Sequence, residues 1–211
     1  MTALAEVPEL AYGFVVGVDI ERFSLLNAEG QRAAQGALGT ALDEAARRAG
    51  LERDRWHRQV GGDGELAFPP GRTDGVLLVG RYPAELARAL TRVNRTRRGR
   101  PPLRVRMVVH HGTRAPGAFG PVGSAPILAA RLLDSDALRA RLRTGPGDLA
   151  FMVSERVFAD VVQTGFGGLD PTAFERVVAA TKSGPLTGYV ARRLPGPPRG
   201  GGLFRRRMPR E

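Results

Sequence analysis

QVGGDGELAF, residues 59–68, reads as one strand arriving at a Gly-Gly-Asp-Gly turn and a second leaving it, with Leu66 and Phe68 alternating. Two glycines before Asp63 and one after permit positive φ angles and close backbone approach, which pushes the aspartate out at a hairpin tip. Taken alone, this is an ordinary Asp-Gly hairpin. Upstream, the apolar run FVVGVDI at residues 14–20 carries a second acid, Asp19, near the end of a strand suited to burial. A carboxylate in such a run calls for a partner charge or a metal. Two acids at adjacent strand ends could hold a hard cation such as Mg²⁺, which takes carboxylate oxygens together with substrate phosphates.

Working outward from the hairpin, residues 12–20 form the first strand and 21–24 its exit loop. Residues 31–48 are helical, with Ala33, Ala34, Ala37, Leu38, Ala41, Leu42 and Ala45 on one face, and Gly50 ends the helix. Residues 76–79 are a short apolar piece that begins or precedes a helix entered at Pro83. A basic loop at 95–102 leads to a strand over 103–111, a glycine-rich irregular stretch over 112–123 and one helix over 125–142. A strand at 149–153 follows, then a helix over 155–162 capped by Ser154. A terminal hairpin pairs 174–180 with 186–192 around Lys182, Ser183 and Gly184. Strand–helix–strand–strand–helix–strand is the α+β, ferredoxin-like (βαββαβ) order, here with an added helix and C-terminal hairpin. The expected organisation is an arm over 1–11, one domain over 12–194 and a basic Pro/Gly/Arg tail over 195–211, expected to be disordered.

The 211 residues are 42% hydrophobic and 25% charged, as expected of a globular chain. No apolar run approaches the roughly 20 residues that span a bilayer. The N-terminus has acids and no basic n-region, so the expected compartment is the cytoplasm. The absence of cysteine excludes disulfides, thiolate zinc sites and cysteine catalysis. The formal charge of +11 concentrates in residues 92–106 (RVNRTRRGRPPLRVR) and in the tail, either of which could meet phosphates of nucleic acid or acidic lipid. Neither interleaves aromatics with arginines as single-strand binders do, so nucleic acid is not the favoured partner.

VDIERFS (18–24), GGDGELAF (61–68), LRVRMVVHHG (103–112) and GSAPILAARLLDSDAL (123–138) together resemble the catalytic domain of class III nucleotidyl cyclases, the adenylate/guanylate cyclase family. The likeness runs from about residue 13 to 192 and is strongest to the short stand-alone type of high-GC actinobacteria. The resemblance implies that Asp19 and Asp63 hold two Mg²⁺ or Mn²⁺ ions, and that Ile20, Arg22, Phe23 and Ser24 lie in the phosphate loop. It implies that Arg131 stabilises charge on the α-phosphate of a nucleoside triphosphate as a 3′,5′-cyclic nucleotide forms. It further implies a head-to-tail homodimer, with the aspartates and the arginine of each site on different subunits. Two departures stand out. Ile127 occupies the position of the family's transition-state asparagine and cannot donate a hydrogen bond. The base-selecting positions hold Gln59 and, close to the second, Gly120, which match neither purine code. Either the chain is a cyclase with altered base choice, or it is a degenerate nucleotide-sensing or dimerising module in signalling.

Other signals are weaker. GGDG is also similar to the GGDEF signature of diguanylate cyclases, but Gly64 stands before Glu65. His110 and His111 end a strand with no third ligand nearby in sequence, and His57 reads as a surface residue. The glycine-rich stretch lacks the Lys-Ser or Lys-Thr of a P-loop. No Gly-x-Ser-x-Gly elbow or His-Glu-x-x-His helix is present.

Overall fold

The computed structural model describes residues 9–97, 99–180 and 184–194. Residues 1–8, the tail and the centre of the expected terminal turn (181–183) lie outside them. The chain builds seven strands and five helices among the described residues. In order they are β1 (Ala11–Ile20), α1 (Ala28–Ala49), β2 (His57–Val60), β3 (Gly64–Phe68), α2 (Tyr82–Thr96), β4 (Val105–Arg114), α3 (Ser124–Leu133), α4 (Asp136–Thr144), β5 (Leu149–Ser154), α5 (Glu155–Asp160), β6 (Phe174–Ala179) and β7 (Leu186–Ala191). One sheet contains all the strands, in the order β2-β3-β1-β4-β5-β7-β6. Its first four places, β2-β3-β1-β4, are the ferredoxin-like arrangement. Among the described strand pairs, β4 with β5 alone is parallel.

β1 is the axis. It pairs antiparallel with β3 on one side and, over its full length, with β4 on the other. Alternation divides its side chains between two cores. Val16, Val18 and Ile20 face the layer of α1 and α2, where Leu38, Leu42, Leu86 and Leu90 are buried. Val15 faces α3 and α4, with Val108, Leu132 and Leu138. Gly17 lies on that second face. A Cβ there would meet Val108, Leu133 and Leu66 at 3.0–3.2 Å, so the missing side chain lets α3 lie close to the strand. Asp19 continues the same face to the end of β1.

Local signals explain most boundaries. Asn27 caps α1 by accepting from the Gly30 amide, and Gly50 ends it at φ 81°. Residues 77–81 form a π-helical turn leading into α2. Two expectations need correction. The single helix expected over 125–142 is two, because Ser135 adopts extended φ/ψ and its hydroxyl accepts from the Leu138 amide, starting α4 anew. The strand expected over 103–111 runs to Arg114, since β1 offers pairing partners as far back as Ala11. The irregular stretch is correspondingly shorter, and it is closed by a bridge between Ala115 and Val122. Among the described residues no helix is long and apolar enough to cross a membrane.

Candidate nucleotide site

The β2–β3 turn and the end of β1 are joined by backbone. The Ile20 amide donates to the Asp63 carbonyl at 2.8 Å, and the Gly61 amide donates to the Gly64 carbonyl across the turn. Gly64 pairs with Asp19, and a Cβ on Gly64 would stand 1.9 Å from the Val18 carbonyl oxygen. Glycine is required there. From α1, the Gln35 side-chain amide donates to the Gly62 carbonyl at 2.6 Å and braces the tip. Asp19 and Asp63 therefore line one cavity of about 360 Å³, with Gln59, Leu133 and Asp134 among its walls.

Asp19 is only 9% exposed. Arg106, its register partner on β4, holds both its oxygens. Arg106 Nε donates to Oδ1 at 2.7 Å, and Nη2 lies 2.7 Å from Oδ2. This is a two-pronged guanidinium–carboxylate pair. Burial nevertheless pushes the Asp19 carboxyl up to about 6. Arg106 pulls the other way, and the charges of Asp63 and Asp134 add to the rise.

Arg106 also lines a second cavity of about 490 Å³, together with Glu21, Arg22, Arg104, Arg139 and Arg143. Arg106 reaches it from the start of β4, and Arg104 from just before that strand. Arg139 and Arg143 come from α4, four apart. Arg104 pairs with Glu21, and Arg139 pairs with Asp134 and Asp136. Arg22 and Arg143 have no acidic partner among the described residues. Arg22 is also the only described non-glycine residue with positive φ, at 57°. Such a conformation is uncommon for a long side chain and clusters at functional turns.

The structure distributes the expected site residues unevenly. Ile20, Arg22, Phe23 and Ser24 follow Asp19 directly, and Phe23 packs partly buried against the core. Gln59 donates to the Phe119 carbonyl at 3.3 Å, and its amide lies 3.2–3.4 Å from where a Gly120 Cβ would stand, so these two positions adjoin. Ile127, half exposed, and Arg131 lie one turn apart on α3. Arg131 has no ion-pair partner among the described residues and is not in the wall of the aspartate cavity. Glu65 is held by Arg53 at 2.7 Å and so is not free at the tip, which removes the acid a GGDEF-like site would draw on.

Arg106 already bonds to both oxygens of Asp19, so a divalent cation there would have to share the carboxylate with a guanidinium charge. Among the described residues no group of three or more His, Asp or Glu side chains gathers in a way that could hold a metal ion. As arranged, the donors do not fit the implied Mg²⁺ or Mn²⁺. Sequence reading missed Arg106, Arg139, Arg143 and Asp134. The signal for Arg106 was present: a buried acid demands a counter-charge, and the only long arginine-bearing strand pattern follows at 103–111. The basic run 92–106, considered above for nucleic acid, is mostly spent internally. Arg92 pairs with Glu44, Arg100 with Glu29, Arg104 with Glu21 and Arg106 with Asp19.

The fold is that of adenylate/guanylate cyclase catalytic domains. Over 94% of this chain and 97% of the other, it is similar to the guanylyl cyclase Cya2, with a TM-score of 0.64 and 15% identity. An adenylate/guanylate cyclase/hydrolase from Silicibacter pomeroyi superposes over 89% of this chain and 98% of its own, with TM-score 0.60 and 17% identity. A bacterial light-regulated adenylyl cyclase does so over 87% and 91%, with TM-score 0.58 and 16% identity. No protein-family model matches the sequence, and no curated protein does either.

Proposed function

We propose that this chain is a nucleoside triphosphate-binding module of nucleotidyl-cyclase type in which capture of the nucleotide is retained and cyclisation is not sustained. The observation that carries the reading is the arginine-lined cavity opening directly from the 20–24 loop, beside an Asp19 that Arg106 already neutralises. An anionic polyphosphate finds guanidinium donors there in the planar, two-pronged geometry that suits phosphate oxygens.

Against turnover stands Ile127. Half exposed on α3 and one turn from Arg131, it brings no donor to the place where the resemblance calls for asparagine. Loss of one preorganised donor costs about 100–1,000-fold in rate. The second reading, a working cyclase with altered base choice, draws support from the unpaired Arg131 and from Asp63 at the tip. A homodimer is part of both readings. Exposed Val60, Phe119, Val122 and Ile127 supply apolar surface on the elements around the site, and Phe119 is 95% exposed.

The test is a turnover assay on the full chain with Mn²⁺ and ATP, GTP, CTP and UTP separately, products being identified by mass spectrometry. Binding is measured in parallel. Expected are saturable binding of at least one triphosphate and no cyclic product. A cyclic product that disappears in Asp63→Ala would establish the second reading instead.

A further inference from the structure

We infer that the cavity between the 20–24 loop, β4 and α4 is a polyphosphate site that works without a divalent cation, Arg106 standing as the fixed cation of Asp19. The inference rests on the nucleotide-binding reading and names the anion chemistry of that site.

The charges in and around the cavity carry the argument. Five guanidinium groups and one carboxylate line it. Glu21 answers Arg104, Asp19 answers Arg106, and Asp134 with Asp136 answers Arg139. That leaves Arg22 and Arg143 without an acidic partner among the described residues. Two unanswered positive charges across one cavity suit an anion with at least two charged phosphate groups better than a single phosphate. The volume of about 490 Å³ lies within the range of small-ligand sites.

Arg22 gives a second, independent sign. Its φ of 57° is a conformation a long side chain rarely adopts, and it sits in the loop that follows Asp19. Strain of that kind persists where the surrounding structure imposes it. A divalent cation on Asp19 would have to share that carboxylate with the Arg106 guanidinium, charge against charge. An anion meets no such repulsion, because its partners already face the cavity.

The experiment is isothermal titration of the full chain with tripolyphosphate, pyrophosphate, phosphate and the four nucleoside triphosphates, each in EDTA and again in Mn²⁺, at about 150 mM salt. Expected is binding of tripolyphosphate in EDTA, tighter than pyrophosphate and far tighter than phosphate, with Mn²⁺ changing the affinity by less than about threefold. Arg22→Gly, which suits the positive φ, and Arg143→Gln on the exposed end of α4 should each weaken it about tenfold or more, the scale of one charge-assisted contact. Circular dichroism would confirm that both variants are folded. Binding seen only with Mn²⁺ overturns the inference and leaves the proposed function standing. Binding in EDTA that neither substitution weakens also overturns it. Tripolyphosphate binding in EDTA with no nucleoside triphosphate bound supports the inference and removes the proposed function.

Discussion

Replacing Arg106 by leucine should destabilise the protein in a pH-dependent way, because it strips a buried carboxylate of the counter-charge paired with it. The side chains of Asp19 and Arg106 are 13% and 12% exposed. Removing one member of such a pair typically costs about 3–5 kcal/mol. The pH dependence follows from Asp19 itself. Its carboxyl titrates near 6 in the fold against an ordinary 3.8, so keeping it ionised above neutrality already costs roughly 3 kcal/mol at about 1.4 kcal/mol per pH unit. Raised in the fold, this group contributes most to stability below pH 3.8 and progressively less as pH rises through about 6. Without Arg106 the carboxyl rises further and the loss extends to higher pH. Urea unfolding of parent and Arg106→Leu at pH 5 and pH 8 measures this directly. The expected difference between them is about 3–5 kcal/mol at pH 8 and at least about 2 kcal/mol smaller at pH 5, where Asp19 becomes neutral in the variant. Adding Asp19→Asn to Arg106→Leu should recover most of the loss at pH 8. A destabilisation below about 1 kcal/mol, equal at the two pH values, would refute the buried-pair argument.

Three further outcomes are expected. His110 is 6% exposed, its Nδ1 has no hydrogen-bond partner among the described residues, and burial holds it down to about 4. Depressed in the fold, it contributes stability that is full above pH 6.5 and falls away toward pH 4. His110→Leu should therefore gain on the parent by up to about 3 kcal/mol on acidification over that range, and a constant difference would count against it. Gly64→Ala forces a Cβ onto the Val18 carbonyl, so a loss of about 3 kcal/mol or more is expected in denaturant melts, and a near-native melt would show the register of β1 and β3 to be wrong. Ile127→Asn should leave stability within about 0.5 kcal/mol, since the site is half exposed, while raising any cyclic product about 100-fold; no rise in the mass-spectrometric assay would mean that residue 127 does not face the reacting phosphate.

Much of the architecture was legible in residues close together in sequence. The hairpin around Asp63 and the end of α1 at Gly50 depend on local backbone preferences, and both stand where the pattern put them. The break between α3 and α4 is also local, yet leucines spaced helically on both sides masked it. Ser135, flanked by Asp134 and Asp136, was the available sign. The candidate site was less legible because its decisive contacts are distant in sequence. Asp19 meets Arg106 87 residues later, through the β1–β4 register. The alternation of Arg104 and Arg106 with apolar neighbours predicts a face, but not which acid lies opposite. Arg139 and Arg143 reach the same cavity only because Ser135 starts a new helix.

The hydrogen bond from the Ile20 amide to the Asp63 carbonyl makes one proton a gauge of the whole site. It bridges the last residue of the central strand and the hairpin tip, so it opens only when the tip lifts or β1 frays. Solvent exchange at that amide, followed by nitrogen-15 NMR, should slow when an anion settles against the 20–24 loop. Amides at the far end of β1 should keep their rates.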